Sequence, residues 1–102
     1  MNTMVDYKIE ILEKRRGSLK LILILYDNGE LFFNEIAGKG MNDHTLDKSI
    51  KVLEKLKLIE RFKIPGKHHK RVYHRLTETG MLIGKCLKEI EENLPDIDIN
   101  DF

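Results

Sequence analysis

Apolar residues occur along the chain in short groups that glycine, proline and asparagine residues separate. In residues 4–15 they recur at spacings of four and three, at Val5, Ile9 and Leu12. This spacing places them on one face of a helix that stops before Gly17. The pattern therefore predicts an N-terminal amphipathic helix.

The second group, Leu21 to Tyr26, is apolar at every position, and its secondary structure is ambiguous. A buried strand would turn at Asn28-Gly29 into a second strand. A buried helix would begin with Ser18 as its N-cap and end at the same Asn28-Gly29. Periodicity alone leaves both structures open.

Two capped helices are predicted next. Asn34 can cap a short helix over residues 35–37 that ends at the glycines after it. Asn42 or Asp43 can cap a longer helix with an apolar stripe along one face. The stripe consists of Leu46, Ile50 and Leu53, with Val52 and Leu56 beside it. The other face of this helix is polar and rich in lysine.

The pattern of residues in the last part of the chain predicts a hairpin followed by a helix. Residues 59–64 and 71–76 suit two strands, and Pro65-Gly66 between them suits a turn. Thr77 can cap a final helix over residues 78–93 that a proline ends. Its apolar stripe is Ile83, Leu87, Ile90 and Leu94.

The length of 102 residues suits a single domain. No apolar run approaches the roughly 20 residues that span a membrane, and the N-terminal residues mix acids and bases unlike a secretory signal. The single cysteine, Cys86, excludes an internal disulfide and fits a reducing compartment. We therefore predict a cytoplasmic protein without membrane contact.

Charge is distributed unevenly, although the formal net charge is only +1. Residues 48–75 hold ten lysines and arginines and two acids, a local charge of +8. Residues 89–102 hold six acids and no base. The chain therefore has a basic middle and an acidic tail, and a basic segment of this kind favours a negatively charged partner.

Three stretches, taken in this order and spacing, resemble the winged helix-turn-helix transcriptional regulators, in particular the small single-domain kind grouped with MarR- and PadR-like proteins. The stretches are Asn34-Glu35-Ile36-Ala37, Asn42 to Leu58, and Tyr73-His74-Arg75-Leu76-Thr77-Glu78-Thr79-Gly80. The resemblance covers about residues 18–88. In that family a glycine commonly stands at the end of the long helix, where this chain has Lys57-Leu58-Ile59.

The resemblance implies an α+β, mainly α fold. This is a winged helix-turn-helix with an added N-terminal helix and a C-terminal helix that is a candidate for dimerisation. The implied regions are an N-terminal helical extension (1–17), a winged-helix core (18–80), a C-terminal helix (81–94) and an acidic tail (95–102). It also implies that the ambiguous apolar run is a helix and that residues 30–32 form a short strand of the wing sheet.

In such a fold, residues 43–56 would be the recognition helix, whose N-terminal part faces base edges in the major groove of DNA. The candidate base contacts are His44, Thr45, Lys48 and Ser49. Lys51 and Lys55 lie farther along and are candidates for phosphate contacts. Asp47 is interpreted as an acid that stabilises the helix dipole rather than as a contact to cytosine.

The wing, residues 65–71, carries a basic tip that we expect to contact the DNA backbone or the minor groove. The tip residues are Lys67, His68, His69, Lys70 and Arg71. Two adjacent histidines without a nearby cysteine or acid make a poor metal site, so no metal is predicted. Cys86 is interpreted as a buried apolar residue and His74 as a packed or surface-paired strand residue.

The sequence has no phosphate-binding glycine loop, nucleophile motif or metal-ligand spacing, so neither enzymatic activity nor a cofactor is predicted. The leading hypothesis is a sequence-specific regulator of transcription that binds double-stranded DNA as a repressor-type homodimer. The N-terminal helix and the final apolar stripe would form the dimer surface, unless they pack on each other. The alternatives are a winged-helix protein-interaction module, whose acidic tail binds a protein partner or its own basic face, and a sequence-neutral chromatin protein.

Overall fold

Five α-helices and a three-stranded antiparallel sheet form residues 6–66 and 71–102, the parts of the chain that the computed structural model describes. The helices are α1 (Glu10–Lys14), α2 (Ser18–Asn28), α3 (Phe33–Ala37), α4 (Asp43–Lys55) and α5 (Glu78–Asn93). The strands are β1 (Leu31–Phe32), β2 (Ile59–Phe62) and β3 (Tyr73–Leu76), and a 3₁₀ turn (Ile99–Asp101) follows α5. The predicted α+β, mainly α architecture is confirmed.

The ambiguous apolar run is helical and forms α2. It is apolar on nearly every face because α1, α4, α5 and β3 all pack against it. Ser18 is not the cap that one interpretation expected: it is completely buried as the first residue of α2, and its side chain caps nothing. The helix instead lies between two glycines, Gly17 and Gly29, whose φ angles of 90° and 82° suit only a residue without a side chain.

The N-terminal helix is shorter than its periodicity predicted. Among the residues described before Gly17, helical structure covers Glu10–Lys14, and residues 6–9 form bends and turns. Val5 lies outside the described residues. Of the other two residues of the predicted apolar stripe, Ile9 is exposed and Leu12 is buried in the core. A helix this short gains little stability from its own hydrogen bonds, so it depends on the packing of Leu12.

The two helices of the helix-turn-helix begin differently from one another. Asn42 caps α4 as predicted, and its side-chain oxygen accepts hydrogen bonds from the backbone N–H groups of His44 (2.9 Å) and Thr45 (3.2 Å). Asn34 is not the cap of α3, because this helix already begins at Phe33 and Asn34 lies inside it. Instead, the N–H of Phe32 donates to the Glu35 carboxylate at 3.1 Å.

Strand β3 occupies the centre of the sheet, between β1 and β2. Ile59 pairs with Leu76 and Phe62 with Tyr73 across the hairpin, while β1 pairs on the other edge through Leu31 and His74. The predicted hairpin and the short wing-sheet strand after α2 are confirmed. The ring of Tyr73 lies between those of Phe32 and Phe62, with centroid distances of 5.7 and 6.0 Å.

The passage from α4 into β2 requires a left-handed residue, and a lysine supplies it. Lys57 has a φ of 60°, and it stands where the winged-helix family that the sequence resembles commonly has glycine. A residue with a Cβ costs about 1 kcal/mol or more in this conformation. A hydrogen bond from the Thr77 hydroxyl to the Lys57 carbonyl, 2.6 Å long, holds the turn against the exit of the hairpin.

Helix α5 has the bounds that its cap and proline predicted. Thr77 accepts a hydrogen bond from the Gly80 N–H at 3.1 Å, and Gly84 lies against the ring of Tyr26 on α2. Ile83 and Leu87 pack against the core, whereas Ile90 and Leu94 are exposed. The apolar stripe of α5 is therefore covered only in its first half. No helix in the described ranges is long and apolar enough to cross a membrane.

Candidate nucleic-acid interface

The polar face of α4 is open to solvent along its whole length. His44, Lys48, Lys51 and Lys55 are exposed on it, and Thr45 is half-buried at its first turn. Leu46, Ile50 and Leu53 turn the opposite face into the core. The apolar face of α4 therefore packs in the core, and the opposite face exposes lysines, a histidine and a threonine to solvent.

Ser49 does not belong to this exposed face, so its prediction as a base contact is wrong. Its side chain is 0% exposed, and its hydroxyl donates a 2.9 Å hydrogen bond to the carbonyl of Arg16. The N-terminal segment covers it, because Gly17 packs against both Thr45 and Ser49. In the sequence, Ser49 has the chemistry of a polar surface residue. It is buried only because the segment that contains Arg16 and Gly17 folds over it.

A groove of about 390 Å³ separates α4 from the sheet. Lys51, Arg61 and Arg71 line it together with Asn34 from α3. Asn34 and Arg61 were absent from the sequence-based candidates. The alternation of β2 would not have found Arg61, because it places Arg61 on the same face as the buried Ile59. Asn34 reaches the groove only through the tertiary position of α3.

Arg71 lies at the base of the wing, and its guanidinium carbon is 4.2 Å from the centroid of the Phe32 ring. This cation–π contact holds the side chain beside the groove while leaving its donors available. The remaining tip residues, Lys67, His68, His69 and Lys70, lie outside the described residues. Their contact with DNA stays a prediction.

Acidic side chains neutralise part of the basic surface. Asp47 pairs with Lys51 at 3.1 Å and Glu54 with Arg61 at 2.8 Å. The carboxylate of Glu60 pairs with Arg75 at 2.8 Å. Within the described ranges, five basic residues of the segment 48–75 form no ion pair and carry its uncompensated charge: Lys48, Lys55, Lys57, Lys63 and Arg71. The local charge counted from the sequence overstates what a polyanion would meet.

His74 is packed beneath the groove, in agreement with one of its two interpretations. It is 5% exposed, and its Nδ1 has no hydrogen-bond partner in the part of the chain that the structure describes. Burial lowers the pKa of His74 from its usual 6.5; the Glu54 carboxylate and the Leu31 carbonyl partly oppose this, and Arg61 adds to it. The folded protein therefore favours the neutral imidazole.

Acid is expected to destabilise the protein through His74. The unfolded chain takes up a proton near pH 6.5, whereas the folded chain does so only at a lower pH. The free energy of unfolding should therefore fall as the pH is lowered through that value. Urea unfolding between about pH 8 and pH 5 measures this free energy. The His74→Gln variant should depend less on pH than the wild type. The control His44→Gln, which removes an exposed histidine, should keep the pH dependence of the wild type. An unchanged slope in His74→Gln would assign the effect to another group.

Cys86 is exposed on α5, so its interpretation as a buried apolar residue is wrong. The helix turns it away from α2, because Gly84 and Leu87 occupy the packed face. Among the described residues, no three His, Cys, Asp or Glu side chains lie close enough to hold a metal ion together.

The arrangement of α2 to α5 around the three strands is a winged helix-turn-helix fold. No family model and no curated protein matches it in sequence. In structure it is similar to the reduced form of the transcriptional regulator YodB from B. subtilis. That match has a TM-score of 0.70 and 25% identity, and it covers 90% of this chain and 89% of YodB.

Two further structures have the same fold. A possible HxlR family transcriptional factor from Thermoplasma volcanium matches with a TM-score of 0.69 and 22% identity, over 90% of this chain and 83% of that chain. Streptococcus pneumoniae FabT, solved in complex with DNA, matches with a TM-score of 0.67 and 18% identity, over 83% of this chain. The match spans only 63% of FabT, less than two thirds of its length. The YodB and Thermoplasma volcanium proteins are described as transcriptional proteins, and FabT is described in complex with DNA.

Proposed function

We propose that this chain is a cytoplasmic, sequence-specific regulator of transcription that binds double-stranded DNA and acts as a repressor. The observation that carries the proposal is the exposed face of α4, with Lys48 and Lys55 free of acidic partners among the described residues, beside a groove lined by Arg61 and Arg71. The fold shared with FabT, which was solved in complex with DNA, supports it.

In this proposal, α4 enters the major groove with its N-terminal half against the bases. His44, Thr45 and Lys48 contact base edges, and Lys51 and Lys55 contact phosphates. One strand of the DNA backbone follows the groove between α4 and the sheet. Arg71 neutralises it there, and Arg61, which is paired with Glu54, donates to it with its remaining N–H groups. The wing tip, including Lys67, His68, His69 and Lys70, contacts the adjacent backbone or minor groove.

The proposal includes a two-fold homodimer. The exposed apolar residues of α5, Ile90 and Leu94, and those near the N-terminus, Tyr7 and Ile9, are surfaces that a second copy would cover. Two copies would then present two α4 helices to half-sites about 34 Å apart, one turn of the double helix.

The salt dependence of DNA binding tests the proposal. Binding to duplexes selected from a random pool should weaken steeply as salt increases. The double variant Lys70→Ala/Arg71→Ala should bind all duplexes about tenfold more weakly, with the salt slope reduced by about 2, because two phosphate contacts are lost. The matched control is Lys8→Ala/Lys85→Ala, which removes two exposed lysines outside α4 and the wing. If the wild type binds duplexes at low salt no better than the wing variant does, the chain is not a DNA-binding protein of this kind.

A protein-interaction module is the second candidate, because residues 89–102 are exposed and acidic. Removal of residues 95–102 would then abolish binding to a basic protein while leaving DNA binding unchanged. A sequence-neutral chromatin protein differs again, since it would bind random and selected duplexes with equal affinity.

A further inference from the structure

A second groove, larger than the one beside the wing, lies between α1, the start of α2 and the start of α4. Its volume is about 890 Å³. The apolar side chains of Ile9, Leu12 and Leu19 line it. Three basic side chains, Arg15, Arg16 and Lys20, line it as well and outnumber its one carboxylate, Glu13. We call it the N-terminal cleft. A ligand that fits it would combine apolar side chains with negative charge.

The C-terminal tail, residues 96–102, has this combination. Its apolar residues Ile97, Ile99 and Phe102 are 59%, 81% and 90% exposed. Asp96, Asp98 and Asp101 alternate with them, and the tail contains no base. A terminal segment of this kind becomes ordered only when it is tied down against another surface.

The tail of the same chain is badly placed to fill the cleft. Helix α5 crosses the far end of α2, where Lys88 pairs with Asp27 at 3.1 Å and Gly84 contacts Tyr26. The cleft is at the opposite end of α2, which has 11 residues and is therefore about 16 Å long. The rest of α5 then continues beyond Lys88 before the tail begins. No tail residue lines the cleft.

We propose that the tail of one copy occupies the N-terminal cleft of a second copy, with the aspartates of the tail facing Arg15, Arg16 and Lys20. This inference rests on the proposed homodimer and names the contact that holds it together. A two-fold axis makes the contact reciprocal, so each dimer contains it twice. The apolar residues of the tail and of the cleft then cover one another. The opposite charges of the tail aspartates and the basic cleft residues determine how far along the cleft the tail binds.

The contact would also reach the DNA-reading helix. The Arg16 carbonyl in the wall of the cleft accepts hydrogen bonds from Ser49 of α4 at 2.9 Å and from the Nε of Arg15 at 3.1 Å. Lys20 donates to the carbonyl of Gly40, in the turn before α4, at 2.8 Å. Asn42 and Thr45 line the cleft as well. Tail binding therefore orders the same residues that position the first turn of α4.

Charge exchange between tail and cleft tests the inference, with dimer dissociation measured by sedimentation equilibrium without DNA. Asp96→Lys/Asp98→Lys and Arg15→Glu/Arg16→Glu should each weaken the dimer about tenfold, since each replaces attraction by repulsion. Combining all four changes should restore dimerisation to within about threefold of the wild type. Lys14→Glu/Lys63→Glu, which reverses two exposed charges outside the cleft, is the matched control and should leave the dimer intact.

The tail variant decides the matter if the cleft variant fails to fold, because Asp96 and Asp98 are exposed and pair with no base among the described residues. A dimer that is unaffected by the tail variant and by removal of residues 96–102 would overturn the inference but leave the homodimer and DNA binding standing. A tail variant that strengthens DNA binding without changing the dimer would also overturn it, in favour of a tail that masks the basic face. A wild type that stays monomeric would overturn this inference and the homodimer together, while the salt-dependence experiment decides DNA binding separately.

Discussion

Gly80→Ala is expected to lower the free energy of unfolding by about 3 kcal/mol, the upper end of the usual cost of overpacking. Gly80 lies in the first turn of α5, directly over the carbonyl oxygen of Leu58, and a Cβ at this position would overlap that oxygen. The carbonyl cannot move away easily, because it accepts a 2.9 Å hydrogen bond from the N–H of Thr77. The added methyl group must therefore separate α5 from the turn between α4 and β2.

Chemical unfolding followed by circular dichroism measures this effect, and Thr79→Ala is the matched control. Thr79 is the exposed neighbour of Gly80 in the same helical turn, so its replacement should change stability by less than about 0.5 kcal/mol. Helix propensity alone would make Gly80→Ala stabilising by about 1 kcal/mol. A stabilised Gly80→Ala protein would therefore show that the close approach to Leu58 is not maintained.

Lys48→Ala is expected to change which duplexes the protein binds. Lys48 is exposed in the N-terminal half of α4 and has no acidic partner in the described ranges, so in the proposed complex its ammonium group donates to guanine acceptors in the major groove. Its loss should reduce discrimination at one base pair by about 1–3 kcal/mol, roughly fivefold to 150-fold. Selection of bound duplexes from a random pool, run with both proteins, measures this change.

Lys55→Ala is the matched control for Lys48→Ala. Lys55 lies two turns farther along the same exposed face, where a phosphate contact is expected. Its replacement should weaken binding to every duplex by a similar factor and leave the selected sequence unchanged. If Lys48→Ala behaves in the same uniform way, Lys48 contacts the backbone and the bases are read by other residues of α4.

Local patterns predicted most of the secondary structure, because their signals lie within a few residues. The Asn42 and Thr77 caps, the stripe Leu46, Ile50 and Leu53, and the hairpin all occur where the sequence places them. The predictions failed where a local signal competed with packing. Ser18 has the chemistry of a cap but is buried, and Ile9 has the spacing of a helix but no core to pack against.

The candidate site was less accessible to sequence reasoning than the fold. The exposed positions of His44, Lys48, Lys51 and Lys55 follow from helical periodicity, since they lie opposite the apolar stripe. The ion pairs between α4 and the strand after it, such as Glu54 with Arg61, do not follow from periodicity. They depend on how the two elements cross, and they determine how much positive charge remains for a polyanion.

The sequence by itself determined the order of the elements, the caps of α4 and α5 and the polar face of α4, because helix and strand periods and capping hydrogen bonds act between close neighbours. Only the tertiary structure decided that Ser49 is buried and that Asn34 and Arg61 share a groove with Arg71. Ser49 is covered by a residue 33 positions earlier, Arg16, whose carbonyl accepts its hydrogen bond. Such contacts join segments that are distant in the chain, and their geometry exists only once the helices have packed.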